Sequence, residues 1–335
     1  MIKLSHKAAL VVCSLVLVLL ALEVSLRAYH SIKGTYEISE TVAKARSNSI
    51  WKKSEDPILI YTHRENYIKD SIRHTNKHGL LTSYDFGIVK DSSVYRIAMV
   101  GDSITAGIYL SEEKRMAFLL QEKMNQAMLG KEKIEVLNFG VNGYSTEQEA
   151  RQIKTFVSSF KPDLVVLNYC LNDPEPSWTP YIWFVDNKPV GLHLYHFVKK
   201  RLDRATDNQF HPNLSPLEHN AGWELFYNKN VKVLNDSFNE IALWSRKREV
   251  PVLFTIFPFL LEGETGRDLA SRWNLKVEAM VEAYGWTVIN LWEDYYEKHR
   301  VEDVFSSSTD FYHPNEVGNK IAADAIAQNI LNLVK

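Results

Sequence analysis

Apolar and polar residues alternate along most of the chain in a pattern that predicts strands followed by helices. Apolar runs of strand length occur at 95–100, 134–139, 163–170, 250–257 and 286–292. Between them apolar residues recur at helical spacing, as Met116, Leu120 and Met124 do, and further helices are predicted at about 229–247, 267–284 and 314–333. This alternation predicts an α/β fold with a parallel sheet between two layers of helices.

The N-terminus carries an uncharged apolar block from Ala8 to Leu22, with Lys3 and Lys7 before it and Glu23 after it. About 15 apolar residues suit a signal peptide and are few for a membrane span, which needs about 20. Continuing the block to Leu26 approaches that length, and no clear cleavage site follows. The pattern favours an uncleaved signal anchor over a cleaved signal peptide, and either one predicts that the rest of the chain is extracytoplasmic, in the periplasm or at the cell surface.

Composition changes along the chain predict four segments: a transmembrane signal anchor at 1–27, a polar stalk at 28–56, a strap of short strands at 57–94 and a main domain at 95–335. The strap includes two strand-like runs, "PILIYT" and "FGIVK". The main domain holds an insertion at about 174–222, with a possible hairpin at "WFVDNKPVG" and a basic helix at "FVKKRLDR". Its aromatic residues form either a substrate-binding lid or ordinary packing: Trp178, Tyr181, Trp183 and Phe184.

Charge and motif content exclude several classes of function. The 335 residues carry a formal net charge of -2, so the basic excess of a nucleic-acid-binding protein is missing. The two cysteines, Cys13 and Cys170, lie in separate apolar runs, which argues against a disulfide framework. The sequence has no phosphate-binding loop, His-Glu-x-x-His or Cys-x-x-Cys motif. We therefore expect chemistry by side chains alone, with no cofactor and no metal.

Four short motifs fall where the predicted strands end or where the last helix begins. "RIAMVGDSITAG" places Ser103 after the first core strand, and "STDFYHPNEVG" places Asp310 three residues before His313. Gly143 and Asn172 follow the next two strands. Each motif alone is as typical of a turn or helix cap as of a catalytic site. Their coincidence along one edge of a parallel sheet favours a ligand site, because open α/β sheets bind ligands at that edge.

The set "GDSIT", "NFGVNG", "LND" and "DFYH", in this order, resembles the SGNH hydrolases, also called the GDSL esterase/lipase family, over about residues 95–333. The resemblance implies a flavodoxin-like three-layer α/β/α sandwich. It also implies Ser103 as nucleophile, His313 as base and Asp310 as the acid that orients the base. The implied oxyanion hole consists of the Ser103 N–H, Gly143, rather than Gly140, and the side chain of Asn172.

One position departs from the family pattern, since the third motif usually reads Gly-x-Asn-Asp and here reads "CLND" with Cys170. A thiol at the end of an apolar strand is expected to stay protonated, so Cys170 is not expected to be a nucleophile.

The predicted function is that of a serine ester hydrolase with an acyl-serine intermediate, acting on acyl or acetyl esters of exported carbohydrate or lipid. The alternatives are an O-acetyltransferase of an envelope polysaccharide and an inactive glycan-binding domain. A metal-dependent hydrolase built on Asp310 and His313 lacks further ligands nearby in the sequence. The expected partners are the ester substrate and, through the N-terminal helix, the membrane.

Overall fold

The structure is a computed structural model that describes residues 6–32, 48–128, 131–174, 194–195, 197–198, 216–258, 263–292, 294–295, 298–307 and 310–333. The hairpin predicted at "WFVDNKPVG", the aromatic residues of the insertion and most of the basic helix at "FVKKRLDR" lie outside the described residues.

A long N-terminal helix, α1 (His6–Ile32), extends beyond the predicted anchor into the predicted stalk. Its stretch Leu10–Tyr29 is apolar and long enough to cross a membrane, a property that a signal sequence shares. Most of the described side chains of α1 are exposed.

Two short antiparallel pairs precede the main sheet. β1 (Trp51–Lys53) pairs with β2 (Tyr61–His63), and β3 (Ile68–Lys69) pairs with β4 (Ile72–Arg73). β1 lies within the predicted stalk, and β2 begins within "PILIYT". The strand predicted at "FGIVK" is wrong, because residues 86–90 contain no strand. A backbone carbonyl of this segment accepts a hydrogen bond from a side chain instead: Arg96 Nη1 donates to the Ile88 carbonyl at 3.3 Å.

The main sheet consists of five parallel strands, which confirms the predicted fold class. In chain order they are β5 (Val94–Val100), β6 (Lys133–Asn138), β7 (Leu164–Tyr169), β8 (Val252–Ile256) and β9 (Thr287–Asn290). Their spatial order is β6-β5-β7-β8-β9, the flavodoxin-like order. All six residues of β7 are buried, as expected for a central strand with helices on both faces.

Helices cover both faces of the sheet. Residues of the sheet form one hydrophobic core with α4 (Thr146–Thr155), α5 (Pro216–Arg248) and α6 (Gly263–Glu282). They form a second hydrophobic core with α3 (Met116–Ala127) and α8 (Glu316–Leu333). The shorter elements are two four-residue α-helices, α2 (Ser103–Ala106) and α7 (Val301–Val304), two 3₁₀-helices (Glu112–Lys114 and Val157–Phe160), and the pair β10 (Phe305–Ser307) and β11 (Asp310–Pro314).

Side chains cap the starts of α4 and α8. α4 begins with a capping box of Ser145 and Gln148. α8 does not begin at Pro314, which ends β11. Asn315 caps it, its Oδ1 accepting hydrogen bonds from the N–H groups of Val317 at 2.8 Å and Gly318 at 3.1 Å. An amide oxygen that satisfies two open N–H groups fixes this helix start.

Candidate active site

The turn between β5 and α2 places Ser103 at the carboxyl edge of the sheet. A Cβ on Gly101 would lie 2.1 Å from Thr105 Oγ1, so only glycine fits between the strand and the helix. Asp102 then caps α2, because its Oδ1 accepts a hydrogen bond from the Ile104 N–H at 2.9 Å. The chain turns tightly, and Ser103 stands at the first position of the short helix.

The structure brings His313 to Ser103 across 210 residues of chain. The imidazole Nε2 lies 2.8 Å from the serine Oγ. The carbonyl of the next residue, Pro314, accepts hydrogen bonds from Tyr109 Oη at 3.0 Å and Asn319 Nδ2 at 2.9 Å. The ring of Tyr109 also packs against the imidazole, with 5.1 Å between the ring centres. These contacts hold the backbone and the ring of His313 in place beside Ser103.

The second carboxylate oxygen of Asp102 connects Ser103 with Asn172. Asp102 Oδ2 lies 3.2 Å from Ser103 Oγ and accepts a hydrogen bond from Asn172 Nδ2 at 3.1 Å. Ser103 has one hydroxyl proton, which donates either to this oxygen or to His313, and His313 is the closer acceptor. An amide nitrogen carries two hydrogens, so the bond to Asp102 fixes the plane of the Asn172 amide and directs its second hydrogen.

Cys170, the residue that departs from the family pattern, packs into this network. Its thiol donates to Asn172 Oδ1, and its Sγ lies 3.7 Å from Asp102 Oδ2. Burial, followed by the proximity of the Asp102 carboxylate, raises the pKa of the thiol well above its usual range. The thiol is therefore protonated, and its contacts are with the amide expected to act in the oxyanion hole.

Two further acidic side chains, Glu149 and Asp173, are buried behind Asp102. Burial is the main cause that raises the pKa of each carboxyl well above its usual range, and the charges of the neighbouring acids add to it. Asp173 Oδ2 accepts a hydrogen bond from the Cys170 N–H at 2.9 Å, whereas Glu149 Oε1 has no partner among the described residues. Burial of this kind favours the protonated form of both groups.

Ligand atoms of Asp102, Cys170 and Asp173 lie within 4.8 Å of one another, a spacing that a small cation can bridge. However, Asp102 Oδ1 already accepts the Ile104 N–H, and its Oδ2 accepts the amide of Asn172. In the described structure both carboxylate oxygens of Asp102 therefore accept hydrogen bonds from neutral N–H groups.

The loop after β6 holds the glycine predicted for the oxyanion hole. Gly143 has φ +75°, a left-handed backbone that favours glycine, and the turn is closed by the Tyr144 N–H to the Val141 carbonyl at 3.0 Å. At Gly140, in contrast, close packing requires glycine, because a Cβ there would lie 2.3 Å from the Ala106 nitrogen. Gly143 as an oxyanion donor stays a prediction.

Asp310 begins β11, opposite Ser307 of β10, which places its backbone three residues before His313. Its side chain lies outside the described part of the structure, so its role as the orienting acid stays a prediction. The sequence motifs alone assign no catalytic role to Asp102, Tyr109 or Asn319. Tyr109 carries no motif that could have identified it.

The fold and this edge of the sheet define a flavodoxin-like α/β hydrolase with a serine–histidine pair. The sequence model of the GDSL-like Lipase/Acylhydrolase family matches residues 99–321, well over half of the chain. The chain therefore belongs to this family and is a hydrolase of ester bonds, as the four motifs predicted.

Solved structures of other proteins are similar to this one at low identity. A protein described as lipolytic, of the G-D-S-L family, from Desulfitobacterium hafniense is 11% identical, with 70% of this chain and 98% of that chain covered and a TM-score of 0.44. A catalytic mutant of an acetylxylan esterase from Geobacillus stearothermophilus is 14% identical, with 70% and 94% covered and a TM-score of 0.42. The psychrotrophic esterase EstA from Pseudoalteromonas sp. is 14% identical, with 71% and 98% covered and a TM-score of 0.43. No curated protein sequence matches the chain.

Proposed function

We propose that this protein hydrolyses acyl or acetyl esters of exported carbohydrate or lipid through an acyl-serine intermediate on Ser103. The observation that carries the proposal is the distance of 2.8 Å between Ser103 Oγ and His313 Nε2. It is the distance over which a histidine removes the proton of a serine nucleophile.

In the first half of the reaction, His313 Nε2 takes the Ser103 proton while Oγ attacks the ester carbonyl carbon. The resulting oxyanion is held by the Ser103 N–H, the Gly143 N–H and the Asn172 amide. When the tetrahedral intermediate collapses, the C–O bond to the alcohol breaks, and the alcohol leaves with the proton from His313. The acyl group stays on Ser103.

In the second half, a water molecule gives a proton to His313 and attacks the acyl-serine carbonyl. The C–Oγ bond breaks, and His313 returns the proton to Ser103, which releases the carboxylic acid. Asp310 completes the proposed triad by orienting the imidazole during both proton transfers.

The proposed site of action is outside the cytoplasm, with α1 as an uncleaved membrane anchor. Two features support this: the apolar stretch Leu10–Tyr29 is long enough to span a bilayer, and Lys3 and Lys7 precede it. An exported, tethered esterase has access to esters of surface carbohydrate and lipid, which is why we propose this substrate class.

A test compares Ser103→Ala, His313→Ala and the double variant in detergent-solubilised full-length protein, with p-nitrophenyl acetate, butyrate and octanoate as substrates. We expect each single variant to lose roughly 10⁴-fold or more in kcat, and the double variant to be little worse, because nucleophile and base act as one unit. Ser111→Ala, at an exposed serine that bonds Glu113, is the matched control and keeps full activity. Substantial turnover by folded Ser103→Ala would rule out the serine mechanism.

A further inference from the structure

The carbonyl of Asn142, the residue before the predicted oxyanion donor Gly143, accepts a hydrogen bond from outside the main domain. The donor is the hydroxyl of Tyr61, at the start of β2, at a distance of 2.8 Å. Both residues are buried, and the side chain of Tyr61 is fully covered. Tyr61 belongs to the strap predicted at 57–94, before the residues 99–321 that the family model matches. The contact therefore joins a segment outside the family match to a loop of the candidate site.

Asn142 and Gly143 are the two central residues of a β-turn. The Tyr144 N–H closes this turn on the Val141 carbonyl at 3.0 Å. The φ of Gly143, +75°, is that of a type II turn, in which the third residue has φ of about +80°. In a type I turn the third residue has φ of about −90° instead, so the peptide group between the two central residues is flipped. The type of turn therefore depends on the orientation of the peptide group that joins Asn142 to Gly143.

The hydroxyl of Tyr61 fixes this orientation. A peptide group is planar and trans, so its C=O and its N–H point in opposite directions. Because the Asn142 carbonyl is directed at Tyr61, the Gly143 N–H points away from the strap. None of the described residues accepts a hydrogen bond from this N–H, and Gly143 is partly exposed between the buried residues Asn142 and Tyr144. The N–H is therefore available to a bound ligand, as an oxyanion donor must be.

Tyr61 is itself held in place by the main domain. Its own carbonyl accepts a hydrogen bond from the Tyr144 hydroxyl, and the two rings pack edge to face with 5.3 Å between their centres. Two residues earlier, the Leu59 carbonyl accepts a hydrogen bond from Gln148 Nε2 of α4 at 2.9 Å. These contacts hold the phenol against the turn, so the Asn142 carbonyl has a fixed donor to bond.

We propose that Tyr61 is a positioning residue for the oxyanion hole, acting through the peptide group between Asn142 and Gly143. The inference rests on the proposed function, in which the Gly143 N–H binds the oxyanion. Without the hydroxyl, the buried Asn142 carbonyl would lose its donor, and an unsatisfied buried acceptor is costly. Flipping the peptide group relieves that cost and directs the Gly143 N–H away from the oxyanion. The hydrogen bond also polarises the peptide group, which makes its N–H a stronger donor.

The variant Tyr61→Phe tests the proposal, because it removes the hydroxyl and keeps the ring. Detergent-solubilised full-length protein is assayed with p-nitrophenyl acetate, and kcat is counted per serine titrated to completion with a fluorophosphonate, so that unfolded protein does not contribute. The matched control is Tyr67→Phe, which removes another hydroxyl of the strap, one that donates to the Asn48 carbonyl. Tyr67→Phe should have the native kcat.

We expect Tyr61→Phe to lower kcat about tenfold and to change KM less than about twofold, because the oxyanion forms only in the transition state. The loss is smaller than the roughly 10²–10³-fold that follows outright removal of an oxyanion donor, because the N–H is misdirected and not deleted.

Inhibition by a trifluoromethyl ketone gives a readout that a purely structural role of Tyr61 would not change. Ser103 Oγ adds to the ketone carbon, its proton passes to His313, and the oxyanion of the hemiketal occupies the same hole. The affinity for this inhibitor should fall about tenfold in Tyr61→Phe and stay native in Tyr67→Phe.

A double-mutant cycle with Gly143→Ala tests whether Tyr61 acts through this peptide group. Alanine disfavours the φ of +75° at this position, so the variant already releases the turn. In the Gly143→Ala background, Tyr61→Phe should therefore lower kcat less than about twofold.

The outcomes that overturn the proposal are separable from failure of the proposed function. Native kcat and native inhibitor affinity in Tyr61→Phe would refute the positioning role and leave the serine mechanism standing. A tenfold loss that persists in the Gly143→Ala background would show that Tyr61 acts by another route, and an equal loss in Tyr67→Phe would assign the effect to general loosening of the strap. Turnover by folded Ser103→Ala would refute the serine mechanism and this role of Tyr61 together.

Discussion

Replacing Asp102 by asparagine tests whether this carboxylate acts through Asn172. Asparagine keeps the shape of the side chain and an oxygen to accept the Ile104 N–H, so the cap of α2 is retained. At the other branch an NH₂ group replaces the oxygen that accepts from Asn172 Nδ2 at 3.1 Å. Two amide NH₂ groups cannot bond each other, so the Asn172 amide must turn.

The magnitude follows from what Asn172 does in the proposed mechanism. Removing one donor from an oxyanion hole lowers kcat by about 10²–10³-fold. A misdirected Asn172 amide loses most of this contribution, so we expect Asp102→Asn to lower kcat about 100-fold and to change KM less than about threefold. The donor acts in the transition state, so substrate binding is little affected.

A double-mutant cycle on p-nitrophenyl acetate separates this effect from a general disturbance. If Asp102 acts through Asn172, then Asp102→Asn should lower kcat less than about fivefold in an Asn172→Ala background. Relative to 100-fold in the native background, that is a coupling free energy of about 2 kcal/mol. The control is Asp91→Asn, at an exposed aspartate whose Oδ1 accepts the Ser93 N–H at 2.9 Å. It should leave kcat unchanged.

The reasoning is refuted if the two losses multiply, so that Asp102→Asn costs 100-fold in either background. It is equally refuted if Asp102→Asn has native activity while circular dichroism shows native secondary structure, because the amide of Asn172 would then be positioned without its carboxylate partner.

Three further outcomes follow from the same site. Tyr109→Phe keeps the ring beside the imidazole but removes the hydroxyl that donates to the Pro314 carbonyl, and should lower kcat by roughly three- to tenfold; a larger loss in Tyr109→Ala than in Tyr109→Phe is required if the ring itself orients the base. Burial and neighbouring acids raise the pKa of Glu149 above its ordinary 4.5, so its contribution to stability is fully present below that value and is lost as the pH rises through the folded-state pKa. Glutamine cannot ionise, so the difference in Tm between Glu149→Gln and the native protein should be more positive at pH 8 than at pH 5, by about 3 °C or more. An equal difference at both pH values would show that Glu149 is ionised or solvated in the folded protein. Because the pKa of Cys170 is raised well above its usual range, iodoacetamide at pH 8 should leave this thiol unmodified in the folded protein and modify it after denaturation, and rapid modification of the folded protein would contradict the buried network.

The sequence was sufficient for the sheet because local pattern and burial coincide there. A strand covered on both faces is apolar throughout, as β7 (Leu164–Tyr169) is, so its identity can be read without knowing its neighbours. The run "FGIVK" looks similar, but none of the strands in the described part of the chain pairs with it. Pairing is a property of the assembled sheet, and composition alone does not contain it.

α5 (Pro216–Arg248) shows a different limit. Its predicted start at about 229 missed thirteen residues, because the stretch before it includes Pro216 and Gly222, residue types that are typical of loops.

The candidate site was predictable where its residues lie within short motifs at the end of a strand or before a helix, as Ser103 and His313 do. The supporting residues were not. Tyr109 lies 204 residues before His313 in the sequence and meets it only because α8 packs beside α3 on the same face of the sheet. The role of Asp102 depends on the Asn172 amide reaching its second oxygen, a contact between separate strand ends.

Identifying the residue that becomes acylated tests the central claim most directly. Detergent-solubilised full-length protein is treated with a fluorophosphonate, an ester-like reagent that traps activated serines, and the adduct is located by peptide mass spectrometry in the native protein, in His313→Ala and in Ser111→Ala. The account predicts one adduct on Ser103 in the native protein and in Ser111→Ala, and a rate of labelling at least about 100-fold lower in His313→Ala. An adduct on another residue, or equally fast labelling of Ser103 without His313, would contradict the account.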